Sequence, residues 1–252
     1  ELKRNKTKFI PVDSEHFSIS EILNNSDPAT IDEVYITASG GPFLNFSKSK
    51  LSKVSVKEAL NHPNWKMGKK ISVDSSTMMN KVFEIIEARN IFNLEIKKIK
   101  ILVHPSSYLH AIVKFSNGLS HLVIHDTDMK IPIFNTIYDN QKLFNKSNNI
   151  NIQKLNNLNL KKPDLKKFPM IKVLRKIPKE HSLFETIIVS TNDTLVKLFL
   201  KNKIKFNSIS KILFSILKDK NFKKYQFIKP KNTNEIIKLN NLVQIKINSI
   251  YI

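Results

Sequence analysis

The chain has 252 residues, no cysteine and a formal net charge of +21, so it is long enough to bury a real core in one or two domains, and disulfide and thiolate chemistry are excluded. No apolar run approaches the roughly 18 residues a membrane-spanning helix needs, and the charged start ELKRNKTK carries no secretory-signal pattern. Of the 42 basic residues only Arg4, Arg89 and Arg175 are arginine; nucleic-acid readout favours Arg, so the lysine surplus, with its abundant Asn and Ile, reads as drift towards A/T-rich codons.

KFIPV (8–12) and EVYITA (33–38) predict strands running into loops, and KKISVD (69–74) a third strand, followed by a helix from about Ser76 to Asn90. KIKILVH (98–104) and LHAIVKF (109–115) predict further strands. The Asn-Gly of SNGL (116–119) makes a hairpin turn, and HLVIHD (121–126) pairs back across it. Residues 140–165, rich in Asn and Lys, read as a linker. Beyond it the apolar spacing of 187–200 and 209–219 turns helical. Net charge rises from +4 over residues 1–130 to +17 over 131–252, which also places a boundary near 130–160. The expected class is α/β (α+β): a mixed-sheet domain over 1–132, a linker over 133–158 and a small all-helical domain over 159–252.

With only four Gly and one Trp, their positions are informative. Gly40 and Gly41 fall in ITASGGPF, Gly68 ends NHPNWKMG beside Trp65, and Gly118 serves the hairpin. Ser-Gly-Gly-Pro after a strand marks positive φ or close approach to a ligand, and a tight structural turn satisfies the same pattern. If a strand ends at Asp74, then Ser75, Ser76 and Thr77 open a helix whose N–H groups and dipole favour an anion. Asn80, Lys81 and Glu84 follow at helical spacing, with Glu87 continuing the face. A phosphate-sized group held by Ser75, Asn80 and Lys81 fits; so does an N-cap with a solvated Lys–Glu pair. In PVDSEH, Asp13 and Glu15 flank Ser14. Together with Glu84 they form an all-oxygen set that suits Mg²⁺ or Mn²⁺ and not Zn²⁺. His62 and His104 sit in HPNW and HPSS loops, where His can meet a phosphate or hydroxyl. No P-loop, nucleophile elbow or Cys/His cluster is present.

PVDSEH, ITASGGPF, HPNWKMGKKISVDSSTMMNK, EIIEARNIFN and DMKIPI occur in this order and spacing. They resemble the 1-deoxy-D-xylulose-5-phosphate reductoisomerases, NADPH-dependent enzymes that make 2-C-methyl-D-erythritol 4-phosphate for isoprenoid synthesis. The resemblance is dense over about residues 8–132 and continues through KKPDLKKFP (161–169) and FLKNKIKF (199–206). It implies a divalent metal, Mn²⁺ or Mg²⁺, on Asp13, Glu15 and Glu84. It implies substrate contacts from Ser14, Glu15, Ser39, His62, Ser75, Asn80, Lys81 and Glu84, with Glu15, Glu84 and His62 at the chemistry. Gly68 is implied to lie against NADPH, Trp65 to belong to a flap over the substrate, and His104 to be near the site. A sugar-phosphate substrate, a homodimer and a bacterial-type cytoplasmic or plastid-type location are also implied, with no nucleic-acid or membrane partner.

Several residues depart from the family's pattern. The family's Gly-rich dinucleotide domain and its Asn-Lys-Glu motif have no counterpart in these residues, and the missing initial Met is compatible with a fragment. Val82 stands where the family has Gly, HPSS replaces HPQS, and IIVSTNDTL replaces an Asn-Ala-Ala-Asn-Glu motif, keeping only Asn192 and the acidic Asp193. A non-catalytic remnant of the enzyme and a basic nucleic-acid-binding protein are the rival readings.

Overall fold

A computed structural model of the chain describes residues 4–7, 9–24, 26–138 and 149–251. In chain order the elements are α1 (Ser14–Leu23), β1 (Ile31–Ala38), α2 (Lys48–Leu51), α3 (Val56–Leu60), α4 (Lys69–Thr77), α5 (Met79–Phe92), β2 (Ile99–Val103), β3 (Leu109–Phe115), β4 (Ser120–Ile124) and α6 (Lys130–Ile137). There follow α7 (Ile152–Asn156), α8 (Phe184–Leu200), α9 (Phe206–Ile216), α10 (Lys220–Lys223) and α11 (Thr233–Tyr251). Among the described residues no helix is long and apolar enough to cross a membrane.

The chain divides into two compact units, each built from two stretches of sequence: Glu1–Ser39 with Glu84–Pro163, and Gly40–Phe83 with Asp164–Ile252. In the first, the strands form a mixed sheet of order β2-β1-β3-β4, β1 being parallel to β2 and the other pairs antiparallel. A parallel pair needs a long crossover. Residues 39–98 supply it, which is why a run belonging to the second unit interrupts the first. α1 packs on β3, β4 and α6, burying Phe17, Ile19 and Ile22; each such side chain is worth about 1.5–3 kcal/mol when fully buried. The expected hairpin forms, with Gly118 at φ +90°.

The second unit is built around α8, which packs against α4, α9, α10 and α11. Phe43, fully buried, meets the rings of Phe46 and Phe206 at 5.1 and 5.0 Å. The residues of 187–200 and 209–219 are helical as their spacing predicts, in α8 and α9.

Two expected strands are absent. Residues 9–12 are irregular, and Phe9, Ile10 and Val12 are exposed; Lys8 lies outside the described residues, and Pro11 has no N–H to give a ladder. KKISVD is the start of α4. Its polar–apolar alternation is misleading because burial does not alternate: Ile71 is exposed while Ser72 through Thr77 are all buried. The small polar side chains satisfy themselves on helix carbonyls, Ser72 on Gly68, Ser76 on Val73 and Thr77 on Asp74. The helix expected over 76–90 is instead two helices, separated by Met78 at φ +60°.

In the supposed linker, residues 140–148 lie outside the described part. The remainder holds α7, and Lys161 exchanges two backbone hydrogen bonds with Val103, at 2.7 and 3.0 Å, on the outer edge of β2.

Gly41 has φ +63°, and a Cβ there would stand 2.9 Å from the Ser75 carbonyl oxygen. Left-handed backbone costs a side-chain-bearing residue about 1–2 kcal/mol, and overpacking adds about 1–3. Gly41→Ala is therefore expected to lower unfolding free energy by about 2–5 kcal/mol in urea titrations. At Gly68 a Cβ meets nothing within 4 Å, so Gly68→Ala loses only the N-cap preference for Gly over Ala, about 1 kcal/mol or less; equal losses in the two variants would contradict this.

Candidate functional site

In the first unit, Asp13 occupies the N-cap position of α1, yet its side chain makes no capping hydrogen bond. Aspartate is among the best capping residues, so its carboxylate is committed elsewhere. Oδ2 lies 2.7 Å from Nδ1 of His16, one turn along, and Nε2 of His16 lies 2.8 Å from the backbone carbonyl of Glu84 in α5. A carbonyl can only accept, and the carboxylate also accepts, so both ring nitrogens carry protons and His16 is an imidazolium. Burial alone lowers its pKa, but the hydrogen bond and charge of Asp13, the Glu84 carbonyl and the Glu84 charge outweigh it and raise it to about 9.

Glu15 follows in the first turn of α1 and accepts a 2.6 Å hydrogen bond from the Ser14 hydroxyl. Glu84 is half-buried on α5, and Glu87, one turn further on, brings Oε2 to 3.9 Å from His16 Nδ1. Among the described residues, Asp13, His16 and Glu87 have potential ligand atoms all within 4.8 Å of one another. With both nitrogens of His16 engaged as donors, the atoms left to meet a cation are carboxylate oxygens, a donor set that fits Mg²⁺ or Mn²⁺. Residue typing picked out Asp13, Glu15 and Glu84, but it assigned no role to His16; the one available signal was a His three residues after an N-cap Asp.

In the second unit, Ser75 is 6% exposed and lies near the end of α4, whose last carbonyls, those of Asp74 and Ser75, accept from Met78 N–H. The expectation that Ser75–Thr77 open a helix is thus corrected: they close one. The helix start belongs to Met79–Lys81, because left-handed Met78 ends α4 before α5 begins. Asn80 and Lys81 stand in that first turn, which holds no acidic residue, and Lys81 is 3% exposed. Val82 is fully buried within the regular helix and does not interrupt it.

His62 Nδ1 accepts from the backbone N–H groups of Asn64 and Trp65 at 3.2 and 3.0 Å, which puts the ring proton on Nε2. Burial, and after it the charge of Lys81, push its pKa down to about 4, so it is a neutral hydrogen-bond donor at neutral pH. Trp65 is half-buried, and Gly68 is exposed at the N-cap of α4. Ser39 is half-buried directly after β1, in the first unit. His104, fully buried, binds the Leu158 carbonyl through Nδ1 and accepts from Ser106 through Nε2. Both nitrogens thus hold the first unit together, and burial lowers the pKa.

Comparison with known proteins identifies the family of the chain. Two family models match: 1-deoxy-D-xylulose 5-phosphate reductoisomerase C-terminal domain over residues 9–92, and DXP reductoisomerase C-terminal domain over residues 124–245. The 1-deoxy-D-xylulose 5-phosphate reductoisomerase of Pelagibacter ubique (strain HTCC1062) is 61% identical over 249 residues, covering 99% of this chain and 64% of that protein. That of Wolbachia pipientis wMel is 40% identical over 221 residues, covering 85% of this chain and 56% of the relative. Among solved structures, a DOX-P reductoisomerase in complex with NADPH, fosmidomycin and magnesium superposes with a TM-score of 0.90 at 30% identity, over 98% of this chain and 64% of that one. The Zymomonas mobilis enzyme in complex with NADPH gives 0.87 at 29% identity, over 99% and 63%. The chain therefore spans somewhat under two thirds of the length of these relatives. With both models matching in order along most of its length, the chain belongs to the 1-deoxy-D-xylulose 5-phosphate reductoisomerase family.

Proposed function

We propose that this chain is the metal- and substrate-binding part of an NADPH-dependent enzyme. The reaction is the isomerisation and reduction of 1-deoxy-D-xylulose 5-phosphate to 2-C-methyl-D-erythritol 4-phosphate. The observation that carries the reading is on α5. Its first turn presents buried Lys81 with no acidic neighbour in that turn, and Glu84 follows three residues later. One helix thus supplies a cationic group suited to a phosphate and a carboxylate suited to a hard cation. Family membership extends the reading to a homodimer and a bacterial cytoplasm.

In this mechanism Asp13, Glu15 and Glu84 would hold Mg²⁺ or Mn²⁺, which would supply Lewis acidity toward the ketone and hydroxyl oxygens of the substrate. Gly68 would lie against NADPH, which would supply the hydride. His16 turns Asp13 away from the helix cap and fixes it against the α5 backbone, so that carboxylate needs little reordering on binding. Ser14 keeps one oxygen of Glu15 oriented through its hydroxyl. Lys81, Asn80 and Ser75 bind the phosphate, and that remote binding energy orients the reacting carbons. His62, neutral and with its proton on Nε2, donates to a substrate oxygen without bringing a competing charge. Trp65 closes over the substrate and excludes water, and Ser39 contributes a further hydroxyl contact.

Calorimetric titration of the full chain with fosmidomycin in the presence of Mn²⁺ is expected to show binding. Glu84→Gln is expected to weaken it at least 100-fold while leaving the far-UV spectrum unchanged; the absence of binding in the unaltered chain would sink the reading. Lys81→Ala, which removes a charge-assisted contact worth about 1.5–3 kcal/mol, weakens the ligand roughly 10- to 150-fold and leaves Mn²⁺ affinity alone.

His16 also makes metal-free stability pH-dependent. Its folded pKa is above the unfolded 6.5, so its contribution is complete below about pH 6.5 and fades as pH rises through about 9. A shift of this size corresponds to on the order of 3 kcal/mol. The stability gap between the unaltered chain and His16→Gln in urea is expected to be widest near pH 6 and to narrow by pH 10; a gap constant across that range would contradict the imidazolium assignment.

A further inference from the structure

Asp74 precedes Ser75 in α4 and is only 2% exposed, yet none of the roles assigned so far uses it. Its carboxylate is held from two directions. Asn192 Nδ2, from the middle of α8, donates to Oδ1 at 2.7 Å, and Lys70 Nζ, one turn earlier in α4, lies 2.9 Å from Oδ2. Lys70 also lies 3.0 Å from Asp193 Oδ1, the residue after Asn192. Burial pushes the Asp74 carboxyl up from the usual range, and Lys70 and Asn192 pull it only part of the way back, so it stays raised.

Such an arrangement is a poor way to gain stability. Asn192 is fully buried, and its Oδ1 finds no hydrogen-bond partner among the described residues. Replacing a buried polar pair by well-packed apolar residues is often neutral or favourable. What the pair does supply is direction, since a buried carboxylate with two donors is satisfied in one orientation only. That orientation is passed to Ser75, the adjoining residue. On its other side Ser75 is walled by Gly41, whose absent Cβ would fall 2.9 Å from the Ser75 carbonyl oxygen. Three residues later Met78 turns the chain into α5, with Asn80 and Lys81 in its first turn.

We infer that Asn192, acting through Asp74 and assisted by Lys70 and Asp193, is a positioning residue that fixes Ser75 and the start of α5 for the phosphate group of the substrate. The inference rests on the proposed reading of Ser75, Asn80 and Lys81 as phosphate-binding.

The test uses the full chain with three readouts: thermal midpoint, affinity for Mn²⁺ alone, and affinity for fosmidomycin at saturating Mn²⁺. Asn192→Leu is expected to keep its Mn²⁺ affinity and to lose 10-fold or more in fosmidomycin affinity. The exchanged pair Asp74→Asn with Asn192→Asp, which restores a hydrogen bond with the roles reversed, is expected to recover most of that loss. Fosmidomycin affinity unchanged in Asn192→Leu overturns the inference, as does a loss fully accounted for by weaker Mn²⁺ binding. If Asn192→Leu fails to fold, the exchanged pair decides: a restored midpoint with restored affinity supports the inference, and a restored midpoint without it, or a pair that also fails to fold, overturns it. Ser75→Ala and Lys81→Ala report on the underlying reading. If they leave fosmidomycin binding intact, the phosphate assignment itself fails, and if they weaken it while Asn192→Leu does not, only the positioning role fails.

Discussion

Met78 adopts a left-handed conformation between two helices that follow one another without a loop. For a residue other than glycine this costs about 1–2 kcal/mol, and burial of the Met78 side chain, 1% exposed, offsets it with about 1.5–3 kcal/mol. The consequence is directional. A helix has a positive N-terminal end and a negative C-terminal end, so the reversal decides which residues stand at which. Ser75 closes the first helix, while Asn80 and Lys81 open the second, and Glu84 follows beyond the first turn. Without the break, a single continuous helix would leave Asn80 and Lys81 in its interior, where no N–H groups are available.

Two histidines show how environment divides one side-chain type between opposite tasks. His16 and His62 are both withdrawn from water, and desolvation alone would keep each neutral. For His16 a carboxylate at 2.7 Å and a carbonyl at 2.8 Å reverse the balance, raising the pKa to about 9. For His62 the nearby charge is that of Lys81, and it deepens the effect of burial to about 4. One ring is therefore a fixed cation that orients an acidic ligand, and the other is a neutral donor beside a lysine. His104, also buried, has both nitrogens satisfied internally and serves the framework.

Much of the sheet was legible because local signals agreed with the global fold. Asn-Gly between two alternating runs specified the β3–β4 hairpin, and the period of 187–200 specified α8. KKISVD misled because period-2 alternation reports a strand only when burial alternates too. Here contacts with α3 and α8 bury six consecutive residues, and small hydroxyl side chains bond back to the helix. KFIPV misled for the converse reason: it is apolar, but among the described residues no strand pairs with it, and Phe9, Ile10 and Val12 remain exposed.

The sequence by itself determined the chemical inventory: hard carboxylates at Asp13, Glu15 and Glu84, a lysine and amide at Lys81 and Asn80, and ordered motifs sufficient to recognise a family. These are properties of residue type and spacing, which a one-dimensional string carries in full. Only the tertiary structure decided that His16 is an imidazolium joining Asp13 to α5, that Ser75 ends a helix, and that Asp74 is gripped by Asn192, 118 residues away. Protonation, helix polarity and the worth of a buried charge depend on what surrounds a group in space, and those neighbours come from parts of the chain that no local pattern connects.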